Sequence, residues 1–294
     1  MSVSSTIDRR GDTMRAVTWM SGAIVSFIAM AVAGRAVSLG FDTFEIMLYR
    51  SLTGVTIIAV VLSLRHRWGD VTTRNIGTQT VRNLCHFTGQ NLWFYAITVI
   101  PLAQVFALEF SSPIWVMLLA PLVLGEKLTR VRGISALIGF VGVLIVARPG
   151  ASTISPGLMA AAGAAVGFAI TAVLTRRLTR DETILGILFW LTVLQAIFGL
   201  VCAAYDGDIA LPTADAAPWL VLIGCAGLLA HFCLTTALSL APAAVVMPVD
   251  FARLPLAAIV GAMAYAEPLD PYVLLGAAVI FGGNYLNIWT ETRR

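Results

Sequence analysis

The chain has 294 residues, of which 59% are hydrophobic and only 12% charged, and its mean hydropathy is +0.88. A soluble domain carries roughly 25% charged residues; half that share cannot cover a water-facing surface, so a soluble enzyme or binding domain is excluded and lipid is the expected solvent. The net charge of +3 sits in short basic clusters between apolar runs, which argues for membrane-surface contact and against nucleic-acid binding.

From the N-terminus, Met1 to Met14 is polar and carries Arg9, Arg10 and Asp12. The apolar run behind it is long enough to span, so a retained first helix is expected rather than a cleaved signal. A span needs about 20 mostly apolar residues. Such runs occur near 16–37, 43–64, 82–99, 102–123, 131–147, 157–175, 183–204, 218–238, 242–264 and 272–290. Turn residues or charges separate them, among them Arg65 to Asp70, Gly125-Glu126-Lys127, Arg148-Pro149-Gly150, Arg176-Arg177, the acidic stretch Asp206 to Asp215, and Glu267-Pro268. Cys85, Cys202, Cys225 and Cys233 lie inside apolar runs without metal-ligand spacing and read as small hydrophobes.

Threading ten spans from a cytoplasmic N-terminus puts 15 of the 19 Lys and Arg residues on the cytoplasmic side. Arg148 falls on the opposite side with Asp206, Asp208, Asp215 and Asp270, while Arg35, Arg50 and Arg253 fall within spans. The positive-inside rule asks for this asymmetry, and an odd number of spans would spoil it. Both termini are therefore expected in the cytoplasm.

Sliding the sequence over itself by 141 residues brings Pro101 onto Pro242, Glu109 onto Asp250, Phe110 onto Phe251, Glu126 onto Glu267, Gly142 onto Gly283, Gly22 onto Gly163 and Phe27 onto Phe168. The reading is an N-terminal segment 1–15, a first unit 16–150 and a second unit 151–294. Five spans per unit is odd, so the second copy enters the membrane from the other side. The fold expected is an all-α integral membrane protein of ten helices in two inverted five-helix repeats, an arrangement typical of transporters.

The run from Phe94 to Gly150 resembles the EamA unit of the drug/metabolite transporter superfamily, through Tyr95-Ala96, Pro101-Leu102-Ala103, Ser112-Pro113, Gly125-Glu126-Lys127-Leu128 and Arg148-Pro149-Gly150. A weaker copy follows in Ala241-Pro242-Ala243 and Ala266-Glu267-Pro268-Leu269, where Pro268 replaces the usual basic residue. The resemblance implies alternating access around a central cavity lined mainly by the third, fourth, eighth and ninth spans. It also implies a small organic solute, a multi-pass place in a bacterial inner membrane, and export of an amino acid or related metabolite ahead of uptake or exchange of a vitamin, carboxylate or drug.

Polar residues inside spans are expensive and mark pathways. Asn83, His86, Gln90 and Phe94 share one helical stripe, with Asn91 and Tyr95 beside it. Under the 141-residue shift Gln90 meets His231, which shares a face with Thr235, so two polar stripes are expected to meet across the cavity. Asn83 reads as an interhelical hydrogen bond, whereas Gln90, Asn91 and His231 read as solute contacts. Asp250 and Arg253, three apart, can pair as a structural lock or bind solute. Glu109 has no opposite charge on its own helix, and Arg50 is the nearest partner by depth. An unpaired carboxylate there could exchange protons or hold a substrate amine, so Glu109, His86 and His231 are candidates for proton coupling, and Glu109, His86 and Tyr95 also for substrate binding. Trp190 is a candidate stacking platform. Arg35 and Arg176 read as helix-end snorkels or caps, and Gly163 with Gly167 as a close-packing pattern.

No Gly-x-Ser-x-Gly, His-Glu-x-x-His or Gly-rich phosphate loop is legible, so no enzymatic activity, cofactor or metal is expected. The partners expected are a small-molecule substrate, the bilayer and candidate protons, with no nucleic acid. A monomer or homodimer is expected.

Overall fold

The structure is a computed structural model and describes residues 9–124, 129–148, 155–205, 207–240 and 249–292. Glu126, Lys127, Asp206, Pro242 and Pro248 lie outside them, as does the side chain of Thr235. The described secondary structure is helical: α1 (Arg9–Val37), α2 (Thr43–Leu64), α3 (Ile76–Val99), α4 (Leu102–Glu109), α5 (Ser112–Leu124), α6 (Arg130–Ala147), α7 (Pro156–Leu178), α8 (Ile184–Ala203), α9 (Ala217–Leu240), α10 (Arg253–Tyr265) and α11 (Pro271–Thr292), with a short 3₁₀ turn at Trp68–Asp70. No strand occurs among the described residues.

Among the described residues, seven stretches are long and apolar enough to cross a membrane: Met14–Val37, Thr43–Leu64, Leu102–Val123, Arg130–Ala147, Pro156–Leu178, Ile184–Ala203 and Ala217–Leu234. Helix α3 has the length but holds Arg82, Asn83, His86, Gln90 and Asn91, which dilute its apolar character. It also starts six residues before the expected 82, because an amphipathic first turn carries no apolar run to announce it. The ninth expected span, 242–264, is described only from Val249, and α10 is its apolar part.

Helix starts carry their own punctuation. Asp42 and Glu45 form a reciprocal capping box on α2. Thr129, Ser155 and Thr183 accept the Arg132, Leu158 and Gly186 backbone N–H groups at 3.3, 3.2 and 3.1 Å. Glu45 also accepts the Ala210 N–H at 2.6 Å, and the Tyr49 hydroxyl donates to the Ala210 carbonyl at 2.7 Å, so the α8–α9 connection docks on the start of α2.

The helix boundaries repeat at an offset of 141 residues. Thr43 and Ile184 begin α2 and α8, Ile76 and Ala217 begin α3 and α9, Arg130 and Pro271 begin α6 and α11, and Val37 and Leu178 end α1 and α7. Packing follows the same rule. Helix α1 lies on α9 as α3 lies on α7, while α2 packs on α8, α4 on α10 and α6 on α11.

Individual contacts are mates as well. A Cβ on Gly22 would stand 3.1 Å from Cys233, and one on Gly163 would stand 3.1 Å from Leu92. Between α6 and α11, a Cβ on Gly142 would stand 2.6 Å from the Gly276 carbonyl, and one on Gly283 would stand 2.7 Å from the Ser135 carbonyl. Lipid offers no hydrophobic drive between helices, so backbone approach across small residues supplies the packing. Gly167 does the same for α7, 3.0 Å from the Cys85 carbonyl of α3.

The α6–α11 seam yields a test. Gly142→Ala or Gly283→Ala pushes a methyl into backbone that has nowhere to move, at a cost of about 1–3 kcal/mol. Gly282→Ala, on the same helix with nothing within 4 Å, should be neutral. Thermal unfolding of the purified variants checks this: a lower midpoint is expected for the first two, and equal midpoints for all three would refute the seam.

Candidate functional site

The site begins with two interrupted helices. The fourth span, an apolar run over 102–123 that its prolines Pro101 and Pro113 can bend, breaks at Phe110 and Ser111 between α4 and α5. Pro113 has no N–H for the Glu109 carbonyl, which accepts the Ser112 hydroxyl instead at 2.7 Å. The Leu108 carbonyl accepts the Ser111 hydroxyl at 2.6 Å, and the Phe110 carbonyl accepts the Asn284 amide of α11 at 3.0 Å. At the repeat-related place Phe251 and Ala252 turn just before α10, and Pro255 denies the Phe251 carbonyl its helical donor. The two interruptions meet, with the Phe110 and Phe251 rings stacked at 4.3 Å between centroids.

Arg253 bridges these breaks. Its guanidinium stands 3.1 Å from Glu109 and 3.2 Å from Asp250, and lies over the rings of Phe27, Phe110 and Phe106 at 4.6, 4.9 and 5.2 Å. The Trp93 indole N–H donates to the other Glu109 oxygen at 2.8 Å. The expected Asp250–Arg253 pair is present. Glu109, however, is not an unpaired carboxylate and does not pair with Arg50. Its partner comes from the other half of the chain, because the interrupted turns bring α4 and α10 together. Arg50 instead donates to the Gln195 side-chain oxygen at 3.2 Å.

Deeper along α3 is an amide and imidazole cluster. The His86 and His231 rings stand 5.9 Å apart, His86 lies 5.8 Å from Phe168, and His231 lies 5.9 Å from Phe27. Both His86 nitrogens, the Gln90 and Asn91 side-chain oxygens, the Gln195 amide nitrogen and the Arg50 Nε are buried without a hydrogen-bond partner. Each such group costs about 1–3 kcal/mol when left unmet. Arg50 and Arg82 lie within electrostatic reach of both imidazoles. Arg82 is anchored, donating to Thr175 at 2.6 Å and to Asn83 at 3.2 Å.

Not every candidate joins. Tyr95 is 40% exposed and points away from the cluster. The Trp190 indole donates to the Thr72 carbonyl at 2.7 Å, which holds it against the α2–α3 connection rather than over the cluster. Asn83 donates to the Trp190 carbonyl at 3.3 Å, the interhelical role expected of it. Gln195 and Gln79, both buried, escaped the sequence reading. Gln79 precedes the apolar run of α3, but Gln195 is the only amide in α8 and could have been found as such.

The cluster is closed at both ends. Arg35 does not snorkel: it pairs with Glu267, donates to the Ile100 carbonyl at 2.9 Å and lies 4.4 Å over Tyr265. Glu267 in turn accepts the Leu102 N–H at 2.9 Å, and Arg148 pairs with Asp270. At the other end Glu182 accepts from Thr72 at 2.7 Å and from Asn75 at 2.8 Å. Between them, a void of about 10 Å³ beside Arg50 and His231 has room for one water at most.

The family model described as the EamA-like transporter family matches residues 14–148 and again 155–289. A riboflavin transporter of Brucella anthropi is 33% identical over 236 residues, which cover 78% of this chain and 83% of the relative. An S-adenosylmethionine uptake transporter of Rickettsia bellii is 24% identical over 277 residues, 94% of each chain. A riboflavin transporter of Vibrio cholerae is 26% identical over 272 residues, 91% and 90% of the two chains. A solved crystal structure at 18% identity superposes with a TM-score of 0.64 over 95% of this chain and 98% of the other, which speaks for the fold alone.

The shared arginine can be tested directly. Arg253→Gln leaves two buried carboxylates facing each other and should cost about 3–5 kcal/mol. Adding Glu109→Gln and Asp250→Asn should restore most of that loss, read as the unfolding midpoint. A triple variant no more stable than the single one would refute the bridge.

Proposed function

The chain belongs to the EamA-like transporter family, and from that premise we propose that it takes a small polar organic solute into a bacterial cell by alternating access across the inner membrane. Ten spans with both termini cytoplasmic complete this reading, supported by the distribution of Lys and Arg along the sequence. Inverted repeats are supported by the matching helix boundaries and the mated contacts of α1–α9 with α3–α7. Exchanging the conformations of two such halves opens the site to one side and then the other.

The observation that carries the proposal is the set of buried, unpartnered polar atoms on His86, Gln90, Asn91, Gln195 and Arg50 where the two halves meet. Groups left unmet in hydrocarbon are expensive, and a ligand with donors and acceptors along its edge meets them. His231, beside His86, is the contact from the second half. Arg253 with Glu109 and Asp250 is the lock at the interrupted helices, whose rearrangement would couple solute binding to opening, with or without a proton. Catalysis has no place in this reading. Uptake is the direction adopted over the expected export, because the relative whose name states a direction is an uptake transporter. Riboflavin and S-adenosylmethionine are the first solutes to try.

The test is uptake of labelled riboflavin, S-adenosylmethionine and an amino-acid panel into proteoliposomes, with and without a pH gradient. Saturable uptake of at least one compound is expected, falling at least about tenfold in His86→Ala and His231→Ala variants that still fold, as loss of hydrogen bonds worth 1.5–3 kcal/mol implies. Uptake unaffected by either change would remove the cluster from the pathway. Movement of none of the compounds by folded protein would refute the proposed substrates.

A further inference from the structure

Arg50 is a buried guanidinium, 8% exposed, seven residues inside α2. A charge inside a span is expensive, and such groups normally pair with one another or with backbone carbonyls. Arg35 has Glu267 and Arg253 has Glu109 and Asp250, while Arg82 donates to the neutral Thr175 and Asn83. No ion pair involves Arg50 among the described residues. Its one side-chain hydrogen bond goes to the neutral Gln195 amide at 3.2 Å, and its Nε is unmet.

A small void, with room for about one water, adjoins the guanidinium. Arg50, Gly54, Leu191, Gln195 and His231 all face the small void between α2, α8 and α9. Arg50 and Leu191 are repeat mates, as are Gly54 and Gln195, so the void lies on the pseudo-two-fold axis. A glycine also faces the guanidinium: a Cβ on Gly227 would stand 3.0 Å from both Nε and Nη2. The Arg50 Nε is left without a hydrogen-bond partner, the Gln195 amide nitrogen is unmet as well, and the His231 imidazole faces the same void.

We propose that Arg50, with Gln195 and His231, receives a carboxylate borne by the transported solute. The inference rests on the transport reading above and names one end of its ligand. A carboxylate accepts two parallel N–H bonds from a guanidinium and cancels its charge, whereas a neutral carbonyl leaves that charge buried. The Gln195 amide can supply a further donor, and the adjoining imidazole another.

Matched pairs of probes test this on the purified full chain: S-adenosylmethionine against its decarboxylated form, L-tryptophan against L-tryptophanamide, and pantothenate against pantothenol. Binding is read as the rise in unfolding midpoint and as a dissociation constant by calorimetry. At least one carboxylate is expected to bind where its partner does not. Arg50→Gln should weaken that binding on the order of tenfold to a hundredfold, as for a lost charge-assisted hydrogen bond, and Arg50→Lys by less. Should Arg50→Gln fail to fold, Gly227→Ala, whose methyl displaces the guanidinium, should weaken the same ligand. Equal binding within every pair, or no binding by any probe, overturns the assignment. Undiminished transport of a carboxylate-bearing solute by Arg50→Gln would reject the anion site and leave the transport reading intact. Absence of all solute movement by the unaltered chain would reject that reading itself.

Discussion

A peptide group in hydrocarbon has no water to bond to, so a helix can stop inside a membrane only where protein meets its orphaned carbonyls. The architecture of this chain turns on that constraint at Phe110–Ser111 and Phe251–Ala252. Ser111, Ser112 and Asn284 supply the missing donors at the first break. Because such breaks must face protein, both lie inside the bundle, ring against ring. The interruption brings Glu109, Asp250 and Arg253 together, and the aromatic faces under Arg253 exclude the water that would weaken their attraction.

Around that centre the scaffold is symmetric and the chemistry is not. Small residues repeat at the contacts: Gly22 with Gly163, Gly142 with Gly283, Ser135 with Gly276. The polar residues of the site face unlike mates: Gln90 corresponds to His231, His86 to Gly227, Gln195 to Gly54 and Arg50 to Leu191. Two halves that pack alike thus present different groups to the space between them.

Much of this was legible in the sequence because membrane helices are written in long apolar runs and a constant offset survives divergence. The stripe of His86 and Gln90, its meeting with His231, and the Asp250–Arg253 pair all follow from helical spacing and the repeat. Contacts between distant helices at positions that the repeat does not relate were not legible. Arg253 reaches Glu109 only because two helices break at the same level, and Arg35 finds Glu267 only because α10 ends beside α3. Tyr95 and Trp190 lie outside the cluster, because helical spacing places a residue on a face without saying what lies opposite. Gln195 was passed over because an apolar helix hides one amide among many hydrophobes.

The void on the pseudo-axis has a consequence for how such a site can be built. In an assembly of two identical five-helix chains, every group on the axis would meet its own copy. Arg50 would then oppose a second arginine where Leu191 now stands, and their repulsion in a dry interior would drive the halves apart or draw in water. Gly54 and Gln195 could not occur together either, since room on one side would mean room on both and an amide on neither. A cation that faces an apolar mate across such an axis therefore requires two halves of different sequence.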